Sequence, residues 1–349
     1  MPNTDAVELP GLIDLQVNGY AGLDVNAADV DADTIAALTR AQWSQGVTTF
    51  LPTVTTASEE QIIRALQAVV AARRRDPMVA HTIAGVHVEG PALNADDGPR
   101  GAHDVRYVRA PDLAELDRWQ EAGDGLVRIV TIAPERAGAM EFISGAAERG
   151  VLTSIGHCAP TPDQVHEAAR TGATLSTHLG NGTYGVLPRH PNHIWAQLAD
   201  DTLTAMFIAD GHHLPADTLT AMIRAKSPER SVLTSDSAAL AGQAPGAYTT
   251  PVGGQVTVGA DGRLTLSGTE LLAGSGRSLL ACLDWAWAHL PFDSDVTLAM
   301  ATTNPARVLG QEERVHDGGD VVTVAREHGT SRVTSTRIRG DVVYTGDAA

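Results

Sequence analysis

Eight short runs of β-branched and apolar residues alternate along this chain with alanine-rich amphipathic stretches, and that alternation constrains the fold more than any other feature. The predicted strands are 11–18 (GLIDLQVN), 47–55, 82–90 (TIAGVHVEG), 126–134, 151–157 (VLTSIGH), 174–181 (TLSTHLGN), 204–211 (TAMFIADG) and 231–237 (SVLTSDS). Helices are predicted near 31–45, 57–75, 111–122, 138–149, 162–171, 192–199 and 215–227. Two helices open on recognisable start signals, Thr56-Ala-Ser-Glu-Glu and Thr161-Pro-Asp-Gln. A hydroxyl there caps free N–H groups, and a proline at the first position costs no hydrogen bond. Strict strand–helix alternation implies parallel strands joined by right-handed crossovers. Eight such units close into a (β/α)₈ TIM barrel, which leaves no unpaired sheet edge. A doubly wound open sheet is the alternative.

Two regions break the alternation. Residues 241–268 are rich in Gly, Pro and Thr and read as a hairpin insertion, with turn signals at Gly253-Gly254 and Asp261-Gly262. Helical patterning resumes at about 272–289 and 294–303. From 313 onward the chain alternates again (VVTV, SRVTSTRIRG, DVVYTG). The expected organisation is therefore a barrel over 10–310 and a small β appendage over 311–349, formed mainly by the C-terminal strands. No internal repeat or low-complexity tract interrupts it.

Composition narrows the function. The chain has 349 residues, 43% of them hydrophobic, enough for a large core. Its 25 basic and 42 acidic residues give a formal net charge of −17, which disfavours a nucleic-acid partner. No apolar run is long enough to span a membrane. Met1 to Glu8 contains neither a basic nor an apolar leader segment, so a cytoplasmic location is expected. Cys158 and Cys282 show no paired spacing and cannot build a cysteine zinc site. Lys226 is the sole lysine, hence the one candidate for a carboxylated bridging lysine.

The polar residues carry the chemical signal. Gln16 and Asn18, Glu89, His157, His178, Asp210 with His213, and Asp236 all fall at or just beyond the C-terminal ends of predicted strands. In a barrel those ends converge on one mouth, where active sites lie. Glu89 ends an apolar strand, so its carboxylate needs a metal or an arginine partner. His157 and His178 end successive strands and present two imidazoles to the same space, either as metal ligands or as a satisfied core pair. One carboxylate and two imidazoles form a common catalytic zinc set, and iron, manganese or cobalt also suit it. Asp236 reads as a general base beside the metal or as a helix cap. His103, in a loop after the third strand, is either catalytic or simply solvated.

The motifs HVEGP (87–91), GH (156–157), THLGNG (177–182), IADGHH (208–213), LTSDS (233–237) and ATTNPARVLG (301–310) together resemble the N-acetylglucosamine-6-phosphate deacetylases of the amidohydrolase superfamily. The resemblance spans roughly residues 10 to 310. It implies that Glu89, His157 and His178 hold one divalent metal, Zn²⁺, with Fe²⁺, Mn²⁺ and Co²⁺ as alternatives. By the same resemblance Asp236 is the general base and acid, His103 polarises the acetyl carbonyl, and His213 contacts the sugar. Asn181, Gly182 and Arg189 correspond to the segment that binds the substrate's phosphate. A homodimer is implied as well, with Arg189 a candidate to reach the neighbouring subunit. The implied reaction is hydrolysis of the N-acetyl amide by metal-activated water.

Several features depart from that pattern. The superfamily's His-x-His pair is replaced by Gln16-Val-Asn18, and amide side chains are poor ligands for a transition metal, so a single metal is expected. Asp14 is expected to accept backbone N–H groups rather than bind metal. The segment after His178 reads Leu-Gly-Asn-Gly-Thr, where the family usually has Leu-x-Asn-Ala-Met. Arg189, His190 and His193 form either a phosphate site or a solvated cluster. Gly274-Ser-Gly-Arg is either an anion loop or a turn. An amidohydrolase acting on another N-acyl compound or a cyclic amide, and a sugar-binding barrel without catalysis, are the rival functions.

Overall fold

The computed structural model describes residues 6–250, 254–316 and 318–346; Gly253 of the expected turn lies outside them. Among the described residues seventeen strands follow in chain order. β1 is Ala6–Pro10, β2 Leu12–Val17, β3 Gly19–Tyr20, β4 Leu23–Asp24, β5 Val47–Thr55 and β6 Val86–Glu89. β7 is Val127–Ile132, β8 Leu152–Ile155, β9 Ala173–Ser176, β10 Thr204–Ile208 and β11 Ser231–Thr234. β12 (Gly246–Thr250), β13 (Gly254–Val258) and β14 (Leu264–Leu266) form the insertion, and β15 (Val321–Glu327), β16 (Thr330–Ile338) and β17 (Asp341–Thr345) the tail.

Eight parallel strands lie in the order β2-β5-β6-β7-β8-β9-β10-β11. A parallel bridge from Val17 to Ser237 joins the two ends, supported by the Asn18 N–H donating to the Ser237 carbonyl at 2.9 Å. The barrel's interior is an apolar plug of Ile13, Leu15, Leu51, Ile129, Leu175, Met206 and Val232. The helix Thr303–Leu309 adds Ala306 and Leu309 to that plug. The closed barrel, rather than the open sheet, is thus the architecture.

The helices begin where local chemistry allows. Ser58 accepts from the Gln61 N–H to open Glu59–Arg75, with two glutamates in the first turn and three arginines in the last, as the helix dipole favours. Thr161 and Gln164 make a reciprocal capping box for Pro162–Thr171. The expected strand 82–90 starts only at Val86, because Asp76 caps a short helix, Pro77–Thr82, in the preceding segment. The expected helix 272–289 starts at Leu279, where Ser278 is the cap, and 294–303 divides into Ser294–Ala299 and Thr303–Leu309. Gly274 has φ +76°, and the Ser275 N–H donates to the Asp236 carbonyl, so this glycine cluster turns the chain back onto the barrel.

The appendage is a four-stranded antiparallel sheet, β1-β15-β16-β17, so an N-terminal strand joins the three C-terminal ones. It docks on the barrel's helices through Thr336 Oγ1 to the Trp43 carbonyl (2.7 Å) and Ser331 Oγ to Asp284 (2.7 Å). The insertion is a three-stranded sheet whose Val256, Leu264 and Leu266 overhang the barrel mouth. Lys226, fully buried at the end of helix Ala216–Lys226, donates to the Gln197 carbonyl at 2.8 Å and to that of Asp200. Burial lowers its pKa to about 8. It ties two helix ends together and does not line the cavity at the mouth. Among the described residues no helix is long and apolar enough to cross a membrane.

Candidate metal centre

Three side chains converge at the mouth. His178 Nε2 is 3.0 Å from Glu89 Oε1 and 3.1 Å from His157 Nε2, and His157 Nε2 is 3.3 Å from Glu89 Oε1. All three residues are buried. Tetrahedral zinc with bonds of about 2.0–2.1 Å places its ligand atoms about 3.3 Å apart, close to this triangle.

The donor chemistry fits a cation as well. His157 Nδ1 lies 2.8 Å from the Pro99 carbonyl, which only accepts, so Nδ1 carries the proton. With the proton on Nδ1, His157 can turn the Nε2 lone pair toward a carboxylate and a second imidazole. A divalent ion is what makes that meeting of lone pairs favourable. Burial alone would raise the pKa of Glu89, but hydrogen bonds from His157 and His178, with the nearby imidazoles of His157 and His103, hold it well below its ordinary value. Gln16 Nε2 also donates to Glu89 Oε1 at 2.9 Å, fixing which oxygen faces the imidazoles.

The backbone is bent to deliver these groups. His157 (φ +47°), His178 (φ +27°) and Asp236 (φ +47°) all adopt left-handed conformations immediately after their strands. Such conformations cost about 1–3 kcal/mol each and persist where surrounding structure enforces them. Gly182 helps to enforce one: a Cβ there would lie 2.9 Å from His157 Nδ1 and 3.1 Å from Cε1. Gly101, in the third-strand loop, faces the same ring: a Cβ there would lie 3.2 Å from His157 Cε1.

Asp236 stands beside the triangle. Asn18 Nδ2 donates to its Oδ1 at 2.7 Å. Burial raises its pKa well above the usual carboxylate value and the charge of Glu89 adds to this, while the Asn18 hydrogen bond opposes it. Asp14 accepts from Thr234 Oγ1 (2.7 Å) and the backbone of Gln16 and Ser235 (both 3.2 Å), a structural joint between the first and last barrel strands. His103 Nε2 lies 3.2 Å from His157 Nε2 and 3.7 Å from Glu89 Oε2. Burial, with the nearby His157, lowers its pKa to about 3, so it is neutral. Asp210 accepts from His213 Nδ1 at 2.7 Å and from the backbone N–H groups of His212 and His213, which pins the His213 ring.

A cavity of about 670 Å³ opens above these groups, and Asn181, Gly182 and His213 line it. Arg189 does not: it is exposed on the loop beyond, as is His190. His193 is buried and bonded to Thr183 Oγ1 at 2.9 Å. The chain's own fold thus separates the three members of that cluster. Arg100 was not apparent from the sequence. Its Nε donates to the Ala95 carbonyl (3.1 Å) and Nη1 to that of His103 (2.9 Å), and an ion pair joins it to Asp97. It holds the loop that carries His103, and the Gly98-Pro-Arg-Gly-Ala-His pattern gave no hint of this.

Residues 7–315 match the sequence profile of the amidohydrolase family. The chain is 32% identical over 351 residues to N-acetylglucosamine-6-phosphate deacetylase of Bos taurus, covering 96% of this chain and 83% of the relative. It is 34% identical over 306 residues to N-acetylgalactosamine-6-phosphate deacetylase of Escherichia coli O157:H7, covering 86% of this chain and 78% of that protein. The crystal structure of N-acetyl-D-glucosamine-6-phosphate deacetylase from Mycobacterium smegmatis superposes with a TM-score of 0.87 at 31% identity, over 97% of this chain and 88% of that one.

Proposed function

Because this chain belongs to the amidohydrolase family, we propose that it is a metal-dependent deacetylase that removes the acetyl group from an N-acetylated amino sugar, N-acetylglucosamine 6-phosphate or a close relative. The observation that carries this reading is the triangle of Glu89, His157 and His178 with Asp236 beside it at the mouth. Glu89, His157 and His178 would hold one divalent ion, and we assign it as Zn²⁺ from the N/O ligand set. Such an ion polarises an amide carbonyl and makes water acidic enough to attack near neutral pH.

The chain's own residues supply the rest. Asp236, fixed at Oδ1 by Asn18, keeps Oδ2 to take a proton from the attacking water and return it to the departing amine. The raised pKa of this buried carboxylate suits a group that must hold that proton between the two steps. His103, with an imidazole nitrogen beside the triangle, stabilises charge developing on the carbonyl oxygen. His213, pinned by Asp210, presents a fixed edge to the sugar. Asn181 and Gly182 bound the same cavity and contact the substrate. The products are acetate and the free amino sugar. We further assign the protein to the cytoplasm and to a homodimer in which Arg189 serves the neighbouring subunit's cavity.

An unphosphorylated substrate is the second reading, and one observation favours it. Arg100 is the only arginine or lysine lining the cavity among the described residues, and three of its five N–H donors are already committed to Ala95, His103 and Asp97. Acetate release from phosphorylated and plain N-acetylhexosamines, measured side by side on zinc-loaded protein, tests both readings. Release from neither class would overturn the deacetylase proposal.

A further inference from the structure

Beneath the metal triangle runs a line of buried polar side chains that the proposed chemistry does not use. Ser154 Oγ is 2.6 Å from Thr177 Oγ1, Thr177 Oγ1 is 2.7 Å from Thr131 Oγ1, and Thr131 Oγ1 is 2.7 Å from His87 Nε2. His87 Nδ1 ends the line on the Leu15 carbonyl at 3.1 Å. None of these side chains is exposed beyond 2%.

The direction of every bond follows from elementary donor counting. A carbonyl only accepts, so His87 Nδ1 carries a proton. In the neutral ring with its proton on Nδ1, Nε2 is the acceptor for Thr131 Oγ1 at 2.7 Å. Thr131 must then donate to His87, Thr177 to Thr131, and Ser154 to Thr177. Each hydroxyl has one hydrogen, and this assignment spends all of them without conflict.

The line touches each strand end that delivers a ligand. His87 is two residues before Glu89 on β6, Thr177 immediately precedes His178, and Ser154 is three residues before His157 on β8. Thr131 sits on β7, which separates β6 from β8 and bears none of the three proposed ligands. It therefore bridges the gap between the carboxylate strand and the imidazole strands. Gly156, next to His157, rests directly on this line. A Cβ there would come within 2.7 Å of Thr177 Cβ and 2.8 Å of Thr131 Cγ2.

We infer that the chain Ser154–Thr177–Thr131–His87 is a positioning device that sets the spacing of Glu89, His157 and His178 for their ion. The inference rests on the metal-centre reading proposed above. Outer partners that orient metal ligands typically contribute about 10–100-fold in affinity. Thr131→Val keeps the shape but removes the central donor and acceptor. The test is titration of metal-free, full-length protein with Zn²⁺ against a competing chelator dye, alongside the melting of the metal-free form.

Thr131→Val should weaken Zn²⁺ binding by about 10–100-fold, and Thr131→Ser should restore it. Thr153→Val, which removes a buried hydroxyl with no hydrogen-bond partner among the described residues, should leave it unchanged. If Thr131→Val fails to fold, Ser154→Ala carries the test, with a smaller loss because only one bond is removed. Wild-type affinity in Thr131→Val or, should that variant not fold, in Ser154→Ala overturns the inference. So does loss in Thr131→Ser equal to that in Thr131→Val. Failure of the wild-type chain itself to bind Zn²⁺ would instead overturn the metal centre, and this inference with it.

Discussion

Gly182→Ala should damage the metal centre without replacing any ligand. Gly182 has φ +57°, a conformation that costs a residue with a Cβ about 1–2 kcal/mol. The new methyl would stand 2.9 Å from His157 Nδ1, 3.1 Å from Cε1 and 3.2 Å from Cγ. Ordinary carbon contacts are about 3.5–4.0 Å, so the ring must retreat by about 0.6 Å. Retreat is opposed by the 2.8 Å bond from Nδ1 to the Pro99 carbonyl and by Gly101 on the loop that approaches the same ring. Metal–ligand distances tolerate only about 0.2 Å. Zn²⁺ affinity should therefore fall by about 10–100-fold, as for a lost outer partner. Melting of the metal-free protein should show the backbone cost alone. Gly185→Ala is the control, because a Cβ at Gly185 meets nothing within 4 Å and its φ is unexceptional. Unchanged Zn²⁺ affinity in Gly182→Ala, measured by chelator competition, would refute the packing argument.

Further expectations follow from other parts of the site. Asp236→Asn should retain one bound metal while turnover drops by at least about 10²–10⁴-fold, measured as acetate release; loss of the metal would show that Asp236 is a ligand instead. Chelation should abolish turnover reversibly yet leave the far-ultraviolet circular dichroism intact, because the barrel plug around Leu15 and Met206 contains no ligand. His193 provides a pH test of stability. Burial lowers its pKa to about 4 from an unfolded value of 6.5, so between these values the unfolded chain binds the extra proton. Stability contributed by this group is complete above pH 6.5 and declines toward pH 4, by at most about 3 kcal/mol. Denaturant titrations of His193→Gln should show a shallower decline over that window, and an identical decline would refute the assignment.

The fold was legible because the hydrophobic period changes cleanly between strand and helix. β5 was visible as 47–55 and the helix Pro162–Thr171 as 162–171, each with sharp boundaries. What escaped notice were elements too short or too polar to show a period. The helix Pro77–Thr82 has barely one turn of pattern, and β1 (AVELP) becomes a strand only by pairing with β15, more than 300 residues away. Positions at strand ends pointed to Glu89, His157, His178 and Asp236 as one group, since a barrel must bring them together. Partners across the mouth were not legible. Gln16 and Asn18 registered as missing ligands, whereas they hold Glu89 and Asp236 through bonds spanning 73 and 218 residues. His87 was hidden inside an apolar run, where an imidazole looks like mere filling. Only its neighbours Leu15 and Thr131 reveal its use.

The buried Lys226 has a practical consequence. All other side-chain cations that stay charged at neutral pH are guanidinium groups, so acylating, carbamylating and aldehyde reagents find no ε-amine on the native surface. Reaction at Lys226 requires the Gln197 and Asp200 carbonyls to let go of it. The rate at which an amine-reactive label modifies this one position is therefore a clock for the opening of the two helices it joins. A label of that kind could report local unfolding in a crowded mixture where no spectroscopic signal from this chain would be resolved.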